Sequence, residues 1–209
     1  MYVPAAFQEQ RLDVLHDAIR RHSFGPLISS GPRGPIATHL AFLLDASRGE
    51  FGTLYTHLAR ANEHWQHFGS GESLAIFAGP HAYVSPSWYA TKHAVPTWNY
   101  LTVHAYAVPR IIDDAAAARD ILGRIMNHYE SAQPLPRLID SLPPAMVAGM
   151  LPQIVVVELA ITRLEGAAKL SQNKSLADRQ GVIARLQQSP HADDQAVARL
   201  MADTLPPQP

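Results

Sequence analysis

Cysteine is absent from the 209 residues, which excludes disulfides, thiolate metal sites and a cysteine nucleophile. No apolar run is long enough to span a bilayer. The opening MYVPAAFQEQRLD has no basic stretch followed by an apolar one, so no signal peptide is expected and the expected location is cytoplasmic. An excess of one charge is missing too: 17 Lys and Arg stand against 18 Asp and Glu, for a net charge of −1, and no basic stripe runs along the chain. Direct DNA binding is therefore not expected, because a nucleic-acid binder needs such a stripe to meet the phosphates. There is no G-x-S-x-G elbow, no G-x-x-x-x-G-K-[ST] loop and no glycine fingerprint opening a helix, which removes those particular hydrolase, ATP and NAD sites. Internal repeats and low-complexity linkers are lacking as well. At 209 residues with 47% hydrophobic content, the chain can bury a core as one domain with a small appendage. The boundary is drawn between 1–188 and 189–209, the latter a closing helix and a frayed tail.

Histidine, by contrast, is plentiful. Of 11 in the chain, His39, His57, His64, His67, His81, His93 and His104 fall in its middle. Residues 80–100, PHAYVSPSWYATKHAVPTWNY, add Trp88, Trp98, Tyr83, Tyr89, Tyr100 and Lys92, broken by Pro80, Pro86 and Pro96. The prolines rule out one uninterrupted helix or a central strand. A core segment would carry more Leu, Ile and Val. Aromatic rings with hydroxyl, amide and cationic groups suit either the wall of a pocket for a planar, polar-edged ligand or an aromatic loop packed on its own domain.

Periodicity places the elements. Leu12, Leu15 and Ile19 predict an amphipathic helix over 8–22. Strands are predicted over 24–30, 35–44, 51–59, 72–79 and 97–112, with short turns that suit a meander and Pro109 at an edge or bulge. Asn62 caps a short helix over 60–68 that Gly69 and Gly71 end. An Asp-capped helix begins at 113, a turn of helix is expected at 147–151, a β-branched strand over 153–166, and helices over 174–188 and 191–205. Short-turn strands and a late return strand predict an α+β, mainly β chain: a closed or split β-barrel with helices at its ends and a helical C-terminal segment.

Three constellations carry chemistry. His64 and His67 could share one helix face as metal ligands, but no third ligand stands at diagnostic spacing, so exposed helix histidines are expected and no metal. HLARAN, 57–62, sets Arg60 and Asn62 at a strand-to-helix junction, where free N–H groups and a guanidinium fork suit a phosphate. The competing reading pairs Arg60 with a surface carboxylate. KLSQNKS, 169–175, is a polar run after an apolar strand, which by itself reads as a capped helix start in solvent.

These blocks together (MYVPAAF, HLARANEHW, IFAGPHAYVSPSWYATK, VPTWNY with VHAY, and LEGAAKLSQNKSLADRQGVI) resemble the PaiB-like group of FMN-binding negative transcriptional regulators, from residue 1 to about 186. That group is similar in fold to the pyridoxamine-phosphate-oxidase-like split barrels. The resemblance implies an FMN-binding split β-barrel over 1–188, assembled as a homodimer with flavin sites at the subunit interface. It implies Arg60 and Asn62 at the FMN phosphate, and Thr38, His39, Thr56 and His57 bordering the flavin. Ser85, Tyr89, Trp98 and Asn99 would lie near the ring, with Lys169 and Gln172 brought in by the partner subunit. Against the family pattern, Thr38 stands for Asn, Ala41 and Glu63 for Pro, and Ala107 for Gly. An aromatic is lacking before Lys169, and about four residues are lacking between Lys92 and Val95. If there is catalysis, it is that of an FMN-dependent oxidoreductase, with the hydride chemistry belonging to the flavin. A split barrel that holds haem instead, and a cofactor-free protein that regulates indirectly through a small molecule or another protein, are the alternatives.

Overall fold

The computed structural model describes residues 1–91 and 94–206. Lys92, His93, the shortening beside Lys92 and the last residues of the tail lie outside the described residues. The first helix, α1, is Leu12–Arg21 and starts later than its periodicity suggested. Gln8–Glu9 forms a two-residue strand, β1, instead. Glu9 accepts hydrogen bonds from the backbone N–H and the guanidinium of Arg11, which holds the chain extended ahead of the helix.

β2 (Phe24–Gly31) and β3 (Gly34–Ala41) form a hairpin from Phe24↔Ala41 to Gly31↔Gly34. The strand expected over 35–44 is two strands: after Phe42 the chain continues as β4 (Leu43–Asp45), which pairs with β5 (Thr53–Ala59). The segment after β5 is a 3-10 helix, Glu63–Ser70, that runs past Gly69 and ends at Gly71. β6 (Ser73–Val84) and β7 (Thr97–Ile111) flank a 3-10 turn at Pro86–Trp88. Pro80 lies inside β6, beyond the residues that pair with β2, Leu74 and Ala75. α2 (Ala115–Glu130) is capped by Asp114, and α3 (Pro144–Met150) precedes β8 (Ile154–Lys169). α4 (Leu176–Gln187) and α5 (Ala192–Asp203) close the chain.

The strands form one sheet in the order β3-β2-β6-β7-β8-β5-β4, with β1 also on β8. β3 and β4 stand at opposite ends of this order, yet Phe42 alone separates them. Such a sheet must curl until its ends meet, which makes it the split β-barrel that the patterning predicted. The seam is fastened locally. Thr56 Oγ1 donates to the Ala41 carbonyl at 2.7 Å, and buried Phe42 packs edge-on to Phe77 with ring centroids 5.4 Å apart.

The chain divides into two compact units. Among the described residues, one comprises 1–18, 78–91, 94–103 and 165–206; the other comprises 19–77 and 104–164. The first has a core of Ala82, Val84, Tyr89, Leu170, Val182, Ile183 and Leu186, to which α5 adds Val197, Ala198 and Met201. In the second, Ala118, Ile121 and Ile125 of α2 cover Tyr55 and Val156. Val155, Val156 and Val157 are all buried, so β8 is enclosed on both faces there, which explains its unbroken β-branched run. Buried Glu158 is neutralised there by Arg48 at 2.8 Å and Arg110 at 2.9 Å.

Candidate functional site

The predicted residues fall into two groups, one in each unit. In the second unit, Asn62 caps the 3-10 helix as its sequence position predicted, its Oδ1 accepting from the His64 N–H at 3.1 Å. Its Nδ2 donates to Thr38 Oγ1 at 3.2 Å. Thr38 Oγ1 lies 2.8 Å from His64 Nδ1, His64 Nε2 lies 2.8 Å from Ser29 Oγ, and Ser29 Oγ lies 2.6 Å from Ser73 Oγ. The expectation of an exposed histidine fails for His64, which is 1% exposed and is the hub of this polar chain. Burial, and then the neighbouring His67, lower its pKa and keep it neutral. One direction of donation then satisfies every member: Asn62 to Thr38, Thr38 to Nδ1, Nε2–H to Ser29, and Ser29 to Ser73. Among the described residues no cluster of His, Asp and Glu could hold a metal ion.

Arg60 is exposed, and its guanidinium is held in place. Nε donates to the Pro152 carbonyl at 2.9 Å and Nη2 to that of Ile154 at 2.8 Å. Its own carbonyl accepts from Trp65 Nε1 at 3.0 Å, and the indole lies 5.8 Å from the guanidinium. Neither reading from the sequence foresaw this staple. No carboxylate forms an ion pair with Arg60 among the described residues, although Asp113 lines the same cavity of about 220 Å³. Two of its five N–H donors are used.

His39 is exposed on β3, with its ring 6.0 Å from that of Phe24. Thr56 is fully buried, its hydroxyl committed to the seam. His57 is exposed on β5 but also lines an apolar cavity of about 260 Å³ with Leu122, Ile125, Met126, Val147 and Met150 among others. Burial against these side chains lowers its pKa, an effect that water at its open edge weakens.

In the first unit, Ser85 caps the turn that follows it and meets Ser87 Oγ at 2.8 Å. Trp98 is 53% exposed, 5.9 Å from the ring of Tyr83 and 6.1 Å from that of His81. Asn99 is fully buried and exchanges hydrogen bonds with Ser171 at 2.9 and 3.2 Å. Gln172 spends its side chain on the backbone, accepting from Leu170 N at 2.8 Å and donating to the Ala168 carbonyl at 2.5 Å. Lys169 Nζ donates to Thr97 Oγ1 and, at 2.7 Å, to the Trp98 carbonyl. Tyr89, Asn99 and Lys169 share the lining of one cavity of about 160 Å³. The structure thus gathers Thr38 and Asn62 around a histidine that sequence reasoning set aside, and gathers Tyr89, Asn99 and Lys169 with Lys174. It gives Thr56 and Gln172 local structural work.

Residues 1–163 match the family model described as "Putative FMN-binding domain". The chain belongs to this family. FMN is the family's cofactor. Among its relatives, the chain is 32% identical over 206 residues to "Protease synthase and sporulation protein PAI 2" of Bacillus subtilis (strain 168), covering 98% of each. Among solved structures it is similar to the flavocytochrome Anf3 from Azotobacter vinelandii, with a TM-score of 0.62 at 12% identity, over 78% of this chain and 69% of that one. It is also similar to the FAD and haem binding protein from Mycobacterium smegmatis, with a TM-score of 0.59 at 13% identity, over 78% and 73%. At such identities these two likenesses show the fold. The PaiB-like resemblance and the split barrel expected from the sequence are both borne out.

Proposed function

We propose that the chain is an FMN-binding regulator of the PaiB type and that Arg60 and Asn62 hold the flavin phosphate. The observation that supports this reading most directly is the state of Arg60. Two backbone carbonyls fix its guanidinium, among the described residues no carboxylate forms an ion pair with it, and three donors remain. A cation held in advance loses little freedom on meeting an anion. Asn62 stands beside it with one amide N–H still to give, oriented by Thr38 and His64. His39 and His57, both exposed, would border the ring. When bound, FMN supplies hydride and single-electron chemistry. The chain's own residues bind and orient it: Arg60 neutralises phosphate charge, and neutral His64 keeps Thr38 and Asn62 in register.

A homodimer with flavin at the interface belongs to the same reading. Three cavities lined by described residues measure about 260, 160 and 220 Å³. Each is below the roughly 300–1,000 Å³ usual for a ligand site, which supports a second copy completing the enclosure of a flavin. Regulation would then be indirect, since the near-neutral chain lacks a basic stripe for DNA.

The test is flavin retention. Purified or FMN-reconstituted chain should show flavin absorbance, and Arg60→Ala should weaken FMN binding by roughly ten- to a hundredfold, as for loss of one charged phosphate contact. A Soret band in place of flavin peaks overturns the cofactor. An unchanged dissociation constant in Arg60→Ala overturns the anchor.

A further inference from the structure

The cavity in the first unit that Tyr89 and Lys169 line has a chemistry that FMN anchoring at Arg60 does not use. Lys169 comes from the end of β8, Lys174 from the turn before α4, Tyr89 from just after the Pro86–Trp88 turn and Thr97 from the start of β7. Ser171 and Asn173 complete the polar lining. Elements far apart in sequence thus bring two ammonium groups to one cavity of about 160 Å³.

These charges are not cancelled. Among the described residues neither Lys169 nor Lys174 pairs with a carboxylate, and Lys174 lies 5.3 Å from the Tyr89 ring. Asp178 is the acid near Tyr89, but its oxygens accept from Thr91 N at 2.9 Å and Thr91 Oγ1 at 2.8 Å. Burial, and after it the charge of Lys174, lower the pKa of Lys169, so holding the two cations together opposes their ionisation. An ammonium has three donors, and Lys169 gives two of them to Thr97 and Trp98.

A second observation points to a ligand independently. The Tyr89 hydroxyl is buried, in a residue only 9% exposed, and has no partner of hydrogen-bond geometry, although Ser171 is its neighbour. An unmade hydrogen bond at a buried hydroxyl is costly, and a small rotation of the Tyr89 side chain toward the cavity that it lines would let a ligand oxygen satisfy it. Ser171 itself is the one non-glycine residue among those described with a positive φ, 62°, and its side chain is locked to buried Asn99. The floor of the cavity is therefore fixed before any ligand arrives.

We propose that this pocket binds a phosphoryl group, with Lys169 and Lys174 supplying charge and the Tyr89 hydroxyl one directed hydrogen bond. Size supports that class: the cavity is about half the smallest volume usual for a drug-sized ligand, so a single oxyanion group fits and a flavin ring does not. The donors are two cations and neutral hydroxyls and amides, which match several acceptor oxygens around one centre. The phosphoryl group could be free phosphate, a phosphate ester, or the phosphate of FMN itself, and the experiment separates these sources.

Inorganic phosphate is titrated calorimetrically into the full chain freed of flavin, and again into the chain saturated with FMN. Saturable binding is expected in the flavin-free chain. Lys174→Gln, at an exposed position that should not disturb folding, should weaken it about tenfold, and Tyr89→Phe by a smaller factor. Retained binding in the FMN-saturated chain assigns the pocket to phosphate or an ester other than the flavin. Binding abolished by FMN, and restored when riboflavin replaces FMN, assigns it to the flavin's own phosphate. Absence of saturable binding, or a dissociation constant unchanged in both variants, overturns the proposal. Failure of this proposal leaves the reading at Arg60 untouched, because the FMN dissociation constant of Arg60→Ala reports that reading separately, whereas assignment to the flavin's own phosphate would move the phosphate anchor from Arg60 to this pocket.

Discussion

His64 shows what a single residue can do once it is enclosed. It joins Thr38 to Ser29 through both ring nitrogens, so its loss strands two partners in a buried setting. His64→Ala should destabilise the fold by about 2–3 kcal/mol, measured by urea denaturation. Acid should act through the same residue. The folded pKa lies below the ordinary value of about 6.5, so the unfolded chain takes up more protons as pH falls. The stabilisation is present above pH ~6.5 and is lost as pH falls toward the folded pKa, and His57 adds the same sign. In His64→Phe the slope of stability below that pH should shrink; an unchanged slope would remove His64 as its source. At this scale the sequence was legible where the interaction is local. Asn62 capping His64 N spans two residues and was read directly. Burial of His64 needs Ser29 and Ser73, 35 positions or fewer away along the chain but on other strands, and no local spacing announces them. The carbonyls that hold Arg60 lie more than 90 positions away and were equally invisible.

At the scale of elements, α4 illustrates how backbone approach can overrule helix propensity. A Cβ on Gly181 would come within 2.4 Å of the Trp88 carbonyl oxygen, a backbone atom that cannot turn aside. Gly181→Ala should therefore cost about 2–3 kcal/mol although alanine is the better helix former. Gly149 in α3 meets nothing within 4 Å, and Gly149→Ala should stabilise by about 0.5–1 kcal/mol. Thermal denaturation of both variants checks the contrast, and equal signs would show that α4 does not rest on that carbonyl. Helices α2, α4 and α5 were predicted close to their observed bounds because caps and 3.6-residue periodicity are local. Strand bounds were less so. β1 was hidden in a helix-like stretch because two residues carry no period, and the run 35–44 concealed a change of partner at Phe42. Alternation records which face is buried and is silent about which strand lies alongside.

For the whole molecule, the proposed flavin site at a subunit interface predicts an assembly. Sedimentation equilibrium of the FMN-loaded chain should report two copies per particle, and a monomer that still retains FMN would overturn the interface reading. No helix among the described residues is long and apolar enough to cross a membrane.

The sequence by itself determined the class of fold, the family and the stretches that hold chemistry. Turn residues, caps, hydrophobic period and blocks such as GPHAYVSPSWY and VPTWNY are all properties of neighbouring residues. Only the tertiary structure decided which of those side chains are free to meet a ligand. Thr56 and Gln172 are spent on backbone carbonyls, Arg60 is stapled by two carbonyls, and Lys169 and Lys174 line one cavity with Tyr89, whose buried hydroxyl is unsatisfied. The physical reason is that charge and hydrogen-bonding capacity are written in each residue's identity, whereas their satisfaction depends on groups that folding brings from elsewhere in the chain.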